Sequence, residues 1–401
     1  MRIIINECKK ILDIRIILLL CMFSILYYMT FTQIYRYPTG GQVTNTKYDI
    51  PFTAELVKEW GPKWKVKDEK QYQKKHQELE RGFAKIIKQD QELSKRGIVY
   101  YEIFNKKYEE LGQKTTLSKQ EKDLGKILEN YVFYNDKTSK IFLDIQALEH
   151  IREFQGSEYG VSDKKYKELK ADGFFDGTKL YQKAIEKRVK RDYTSLVHEG
   201  VFYILQEDMV TIGGLIMICF FALIIPYQLK QRLRQVIPIL ATTKTGRRIY
   251  QIQLIASALV ALFVGILQMA VYGIIWHLKG LSVFWRCESW GIASNSYWCD
   301  KLSFGTYMLL YMALILLFAI ASIVIIDFIG RTIGNYMGAV AVSIPVCGVM
   351  MFLMRKIYYM LFLITNDQVL AYWELYALAT WLIVMLLFYK IRSKRWKKVD
   401  L

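Results

Sequence analysis

Six basic residues and no acidic one lie between Gln228 and Gln251: Lys230, Arg232, Arg234, Lys244, Arg247 and Arg248. The run closes on Thr242-Thr-Lys-Thr-Gly-Arg-Arg. Guanidinium groups set out in this way pair with carboxylates, phosphates or exposed carbonyls, and Gly246 permits a tight turn before them. Such a run suits recognition rather than bond making, and equally a positive-inside loop that needs no partner. Leu233, Val236, Ile237 and Leu240 recur at three- and four-residue spacing, broken at Pro238. Such a pattern predicts a short amphipathic helix that can dock as well as tether.

Other residue types that could do chemistry are sparse. Cys287 and Cys299 share one short loop; they either close it as a disulfide or stay free, since a bacterial surface need not be oxidising. Cys8, Cys21, Cys219 and Cys347 read as small apolar residues in or near membrane spans. The four histidines, His76, His150, His198 and His277, show no metal-ligand spacing. There is no G-x-x-x-x-G-K-[ST] phosphate loop and no G-x-S-x-G elbow. Gly173–Lys179 is the nearest look-alike to a phosphate loop and has the wrong spacing. The chain reads as no enzyme, with no metal site and no cofactor of its own. Four polar residues in or beside apolar stretches are candidates because burying them in lipid is costly: Gln268, Asp327, Arg331 and Asn335. Asp327 and Arg331 can also be a pair that only marks a turn. Gln253 lies close enough to the interface to be ordinary.

The elements that must position these residues are membrane spans. The 401 residues are 53% hydrophobic yet carry a net charge of +18, a combination that insertion reconciles. A span needs about 20 mainly apolar residues. Six stretches qualify: 11–31, 209–227, 249–276, 304–326, 332–354 and 373–389. The first is too long for a signal-peptide core and reads as an anchor. The short apolar run Ile357–Ile364 reads as a cap on the outer end of span five or as an interfacial segment.

With both termini inside, the inner segments hold 17 basic against 4 acidic residues, as positive-inside retention requires. Topology thus explains most of the charge. Nucleic acid is not implied, because no basic–aromatic platform or zinc-finger spacing accompanies it.

The expected fold is an all-α integral membrane protein of six transmembrane helices, with a large, mainly helical extracellular domain between spans one and two. The divisions are 1–33 (N-terminal amphipathic helix and span one), 34–207 (extracellular domain) and 208–401 (five-span block with loop 228–248). In the domain, helical spacing appears around Leu79–Ile87 and over 99–111, 119–134, 141–154 and 181–205. Ser118 with Glu121 forms a capping-box signature, and Ser162 with Asp163 a weaker helix start. Residues 37–42 and 49–51 read as turns.

The six-span layout, the run Glu7–Leu12 (ECKKIL) and the loop ending Ile239–Arg247 (ILATTKTGR) together resemble permeases of the bacterial type-two ABC exporter family. The resemblance covers the N-terminus and spans two to six, not the extracellular domain. It implies a multi-pass permease of the bacterial cell membrane with both termini cytoplasmic. Its partners would be a separate ABC ATPase subunit, which carries the ATP and Mg, a second permease subunit (identical or related) and membrane lipid.

In that family the N-terminal helix and the loop after span two touch the ATPase. The resemblance therefore gives a coupling role to Glu7, Lys10, Gln231, Arg232, Arg234, Thr243, Gly246, Arg247 and Arg248. Family members often carry a Glu early in the loop, where this chain has Gln228 or Gln231. The implied cargo is a peptide, lipid or drug; an antimicrobial or other amphipathic peptide suits a helical, aromatic-rich outer domain. The alternative is a receptor or sensor whose extracellular domain binds a peptide.

Overall fold

The computed structural model describes residues 2–36, 46–65, 69–153, 171, 173, 176–189, 193–233, 249–289, 298, 301–365 and 367–398. Six of its helices are long and apolar enough to cross a membrane. They are α2 (Ile14–Phe31), α11 (Glu199–Leu233), α12 (Ile249–Leu278), α13 (Phe304–Thr332), α14 (Tyr336–Tyr358) and α15 (Trp373–Lys398), spans one to six.

Span two is the hub. Its apolar window is 78% buried, whereas spans one, five and six are 17–22% buried. Its glycines explain the close packing: a Cβ on Gly213 would lie 2.7 Å from the Met354 side chain and 2.9 Å from Ile315, and one on Gly214 2.6 Å from Met351. Small residues let helices in lipid approach until dispersion contacts replace those with acyl chains. The peripheral spans keep large side chains such as Leu18, Met22, Ile344, Phe352 and Leu386 exposed, which suits contact with lipid tails.

A short amphipathic helix, α1 (Arg2–Ile11), precedes span one and is separated from it at Leu12 and Asp13. Asp13 starts span one by accepting the Arg15 N–H at 3.1 Å, the usual service of an N-cap side chain. A four-residue helix, α3 (Gln33–Arg36), follows span one.

Between spans one and two lie α4 (Thr46–Trp60), α5 (Glu69–Ile87), α6 (Gln91–Lys95), α7 (Tyr101–Gln113), α8 (Lys119–Glu129), α9 (Asp136–Glu153) and α10 (Lys179–Val189). A π-helical turn, Asn130–Tyr134, joins α8 to α9. Two cores divide this region. Phe83, Phe104, Leu128 and Phe142 centre one of its own, while Ile50, Phe52, Leu56, Trp64 and Leu148 join the core of the spans. Helix α9 contributes to both. The Ser118–Glu121 capping box is present, with Glu121 N donating to Ser118 Oγ at 3.3 Å and Ser118 N to Glu121 Oε2 at 3.0 Å.

Two expectations need correction. Residues 49–51 are not a turn: Pro51 lies inside α4. Burial of Ile50, Phe52, Leu56 and Val57 outweighs the one helical hydrogen bond that proline removes. The helix expected over 181–205 is interrupted by β2 (Tyr193–Ser195), which pairs antiparallel with β1 (Lys63–Lys65). Helix α11 spans the division at 207 and runs unbroken into span two, as the absence of a linker before Met209 leads one to expect. The turn at 37–42 and the start at Ser162 lie outside the described residues.

Candidate functional site

Helix α1 and the last turns of α15 lie at one end of the six-helix bundle, and there the polar side chains of α1 and four spans meet below the surface. Asp327, one turn from the end of span four, is fully buried. Its Oδ2 accepts Arg331 Nε at 2.8 Å and its Oδ1 accepts Gln228 Nε2 from span two at 2.6 Å. Arg331 reaches on to Gln253 Oε1 of span three at 2.8 Å, and its guanidinium lies 5.0 Å from the Tyr250 ring centre.

An i,i+4 spacing puts Asp327 and Arg331 on one helix face. Burial then makes each depend on the other, since an unpaired charge in such a place is strongly destabilising. The pair is therefore more than the mark of a turn, because it ties span four to spans two and three. Gly330 permits this approach; a Cβ there would meet Gln228 Cβ at 2.8 Å. Gln228 Oε1 and Gln253 Nε2 are buried with no protein partner among the described residues.

The N-terminal helix joins the same joint. Glu7 is buried between Lys10 Nζ, 2.5 Å from Oε1, and the Tyr227 hydroxyl, which donates to Oε2. Cys8 Sγ lies 3.8 Å from the Ala256 carbonyl of span three. Arg232, past the buried end of span two, donates to the carbonyls of Arg331 and Thr332 at 3.0 and 2.6 Å. A cation is favoured where the last carbonyls of a helix lack partners. From span six, Arg392 lies over the Phe328 ring at 4.3 Å and Tyr389 stacks on Tyr250.

Of the residues expected to act, the structure brings together Glu7, Lys10, Arg232, Asp327 and Arg331. Gln231 is on the same helix end, half-buried. Arg234, Thr243, Gly246, Arg247 and Arg248 lie outside the described residues. Asn335 is not part of the joint: its Oδ1 accepts Gly338 N at 2.6 Å and caps span five. Gln268 sits elsewhere, donating to Ser24 Oγ at 3.0 Å while its carbonyl accepts the Tyr28 hydroxyl at 2.7 Å, and so binds span three to span one.

Sequence reasoning missed Tyr227, Tyr250 and Arg392, and it treated Gln253 as ordinary. Gln228, a candidate for a loop contact, instead faces inward to Asp327. Cys287 carries a free, buried thiol with Sγ 3.8 Å from the Leu196 carbonyl; burial pushes its pKa up to about 12. Cys299, the other cysteine of the loop, lies outside the described residues, and with it the choice between a disulfide and two free thiols.

The opposite end uses another chemistry. Asp208, fully buried, accepts the backbone N–H groups of Gln33 and Ile34 at 2.5 and 3.0 Å and the Tyr272 hydroxyl at 3.2 Å. It fixes the exits of spans one to three. No group of three or more metal-ligating side chains occurs among the described residues.

Six membrane-length helices, four of them meeting at a buried polar joint, define a multi-pass, mainly α-helical membrane protein. No family model, curated protein or solved structure matches the chain.

Proposed function

We propose that the chain is the permease subunit of an ATP-driven exporter, coupling a separate ABC ATPase to movement of a peptide, lipid or drug. In this reading both termini are cytoplasmic in a bacterial cell membrane and the domain between spans one and two is extracellular. A second permease subunit, identical or related, completes the path. ATP and Mg act on the ATPase.

The observation that supports the reading is the Glu7–Tyr227 contact. The two segments to which the type-two family resemblance gives ATPase contact are the N-terminal helix and the loop after span two. In this fold they are joined side chain to side chain where that loop begins. Five residues beyond Tyr227 on the same helix, Arg232 grips the end of span four. A push on either segment is thereby delivered to the Asp327–Arg331 pair and to spans two, three and four together. Rigid helices carrying paired polar groups pass on a displacement because their contacts have discrete arrangements, and Gln228 Oε1 and Gln253 Nε2, unpartnered among the described residues, offer a second pairing once the helices shift.

The test is purification of the full chain from its source membranes with identification of its partners by mass spectrometry. The expected partner carries a G-x-x-x-x-G-K-[ST] phosphate loop, and the Arg247→Ala/Arg248→Ala double variant inserts normally but loses it. Recovery of a histidine kinase in its place supports a sensor and overturns the export reading.

A further inference from the structure

Among the described residues, three non-glycine residues have left-handed backbone, and all fall between spans five and six: Met360 (φ 55°), Phe362 (φ 62°) and Tyr372 (φ 55°). Side chains with a Cβ pay for this conformation sterically, and it persists only where the surroundings over-determine it. The surroundings here are dense. Leu361 and Phe362 are buried against the ends of the spans. The Tyr307 hydroxyl of span four donates to the Leu361 carbonyl at 2.9 Å, and the neighbouring Tyr311 hydroxyl to that of Tyr358. Glu374, buried at the start of span six, accepts Phe362 N at 2.9 Å, while its Oε2 has no protein partner among the described residues.

Trp298, from the loop between spans three and four, clamps the same segment three times. Its N–H donates to the Phe362 carbonyl at 2.9 Å, its carbonyl accepts the Tyr372 hydroxyl at 3.0 Å, and its indole N–H donates to Gln368 Oε1 at 3.1 Å.

Gln368 is where these ties converge. Its Oε1 also accepts Thr365 N at 3.3 Å and its Nε2 donates to the Leu370 carbonyl at 2.9 Å. Its backbone carbonyl accepts the Thr178 hydroxyl at 2.7 Å. Thr178 belongs to the domain between spans one and two, at the start of α10, where its Oγ1 also accepts Tyr181 N at 3.3 Å. One hydroxyl thus fastens a strained connection of the spans to that domain.

We propose that the connection between spans five and six is a strained plug over the domain end of the bundle. In this arrangement Gln368 is its latch and the domain holds the latch through Thr178. Displacing α10, as a ligand bound to the domain would do, releases the Gln368 carbonyl, and the three left-handed residues can then relax. The latch itself does not depend on export; its service as the exit gate rests on the export reading.

Hydrogen exchange read by mass spectrometry on the full chain in lipid nanodiscs tests the latch. Thr178→Val keeps the side-chain shape and removes the hydroxyl, and it should speed exchange of 359–365 and 367–372 about fivefold, the effect of one ordinary hydrogen bond. Thr178→Ser should match the parent there. Met360→Gly should slow exchange of the same peptides by a similar factor of about five, since glycine carries no left-handed penalty. Faster exchange confined to 179–189 in Thr178→Val, or unchanged exchange in Met360→Gly, overturns the proposal. A chain that recruits no ATPase would remove the exporter gate and leave this exchange result standing.

Discussion

The two ends of the helix bundle are held by different balances of bonds. At the end where α1 and the last turns of α15 lie, most ties run side chain to side chain: Glu7 with Tyr227, Gln228 with Asp327, Asp327 with Arg331, Arg331 with Gln253, with Arg232 on two carbonyls beside them. At the domain end most side chains hold backbone: Asp208 the amides of Gln33 and Ile34, Tyr307 the carbonyl of Leu361, Glu374 the amide of Phe362, with the Tyr272–Asp208 and Trp298–Gln368 pairs beside them. Regular helices satisfy their own backbone groups, so the first end has polar side chains left over to register one helix against another. Irregular chain near a membrane must have its backbone satisfied from outside, and the second end spends its side chains on that. In the proposed reading, displacement passes through the first end, whereas the second keeps its shape.

The largest effect should come from breaking the first end at its charge pair. Arg331→Ala leaves Asp327 buried and unpaired, which costs about 3–5 kcal/mol; a thermal melt of the purified chain should shift strongly downward or the chain should fail to accumulate. Neutralising both members, Asp327→Asn with Arg331→Gln, should recover most of that stability. Equal losses in the single and double variants would show that packing, not charge, holds this end.

A smaller loss is expected from Gly330→Ala, whose methyl must push Gln228 away. Overpacking of this kind costs about 1–3 kcal/mol. The same melt should detect it, with hydrogen exchange rising around 225–228 and 327–332 while 359–365 stays unchanged.

The domain adds a pH dependence that sharpens the contrast. Asp144, on the helix shared by the two cores, has its pKa pushed up to about 7, chiefly by burial and also by Glu55, with Lys140 and Lys75 opposing. A raised carboxyl pKa gives stability that is full below the unfolded value near 3.9 and is lost as pH rises through the folded value. Exchange protection of α4 and α9 should therefore be greater at pH 5.5 than at pH 8. Asp144→Asn should flatten the difference and match the protonated parent. A parent equally protected at both pH values would contradict the assignment.

The sequence made the spans legible because length and apolar content suffice for a membrane helix, and it showed the α8 start because Ser118 and Glu121 act locally. It did not reveal the β1–β2 pair, whose strands are three residues each and far apart in the chain, too short for an alternating pattern to register. The joint was half legible. Asp327 and Arg331 stand out as charges in apolar surroundings, but whether Gln228 and Gln253 face inward depends on helix phase and neighbours, which single polar residues do not encode. Phe362 and Met360 carry no sign of left-handed backbone, since the segment is held by contacts from other parts of the chain, Trp298, Tyr307, Glu374 and Thr178. The loop residues Thr243–Arg248 keep their expected role only through the family resemblance.

The proposed role of the joint as transmitter is tested most directly by hydrogen exchange on the full chain assembled with its proposed ATPase partner in nanodiscs, with and without ATP. The parent should show ATP-dependent change together in α1, at the start of span three and around 327–332. Tyr227→Phe, which removes the donor to Glu7, should keep its ATPase bound and lose the change at 327–332. The same ATP-dependent change in both proteins would contradict the account.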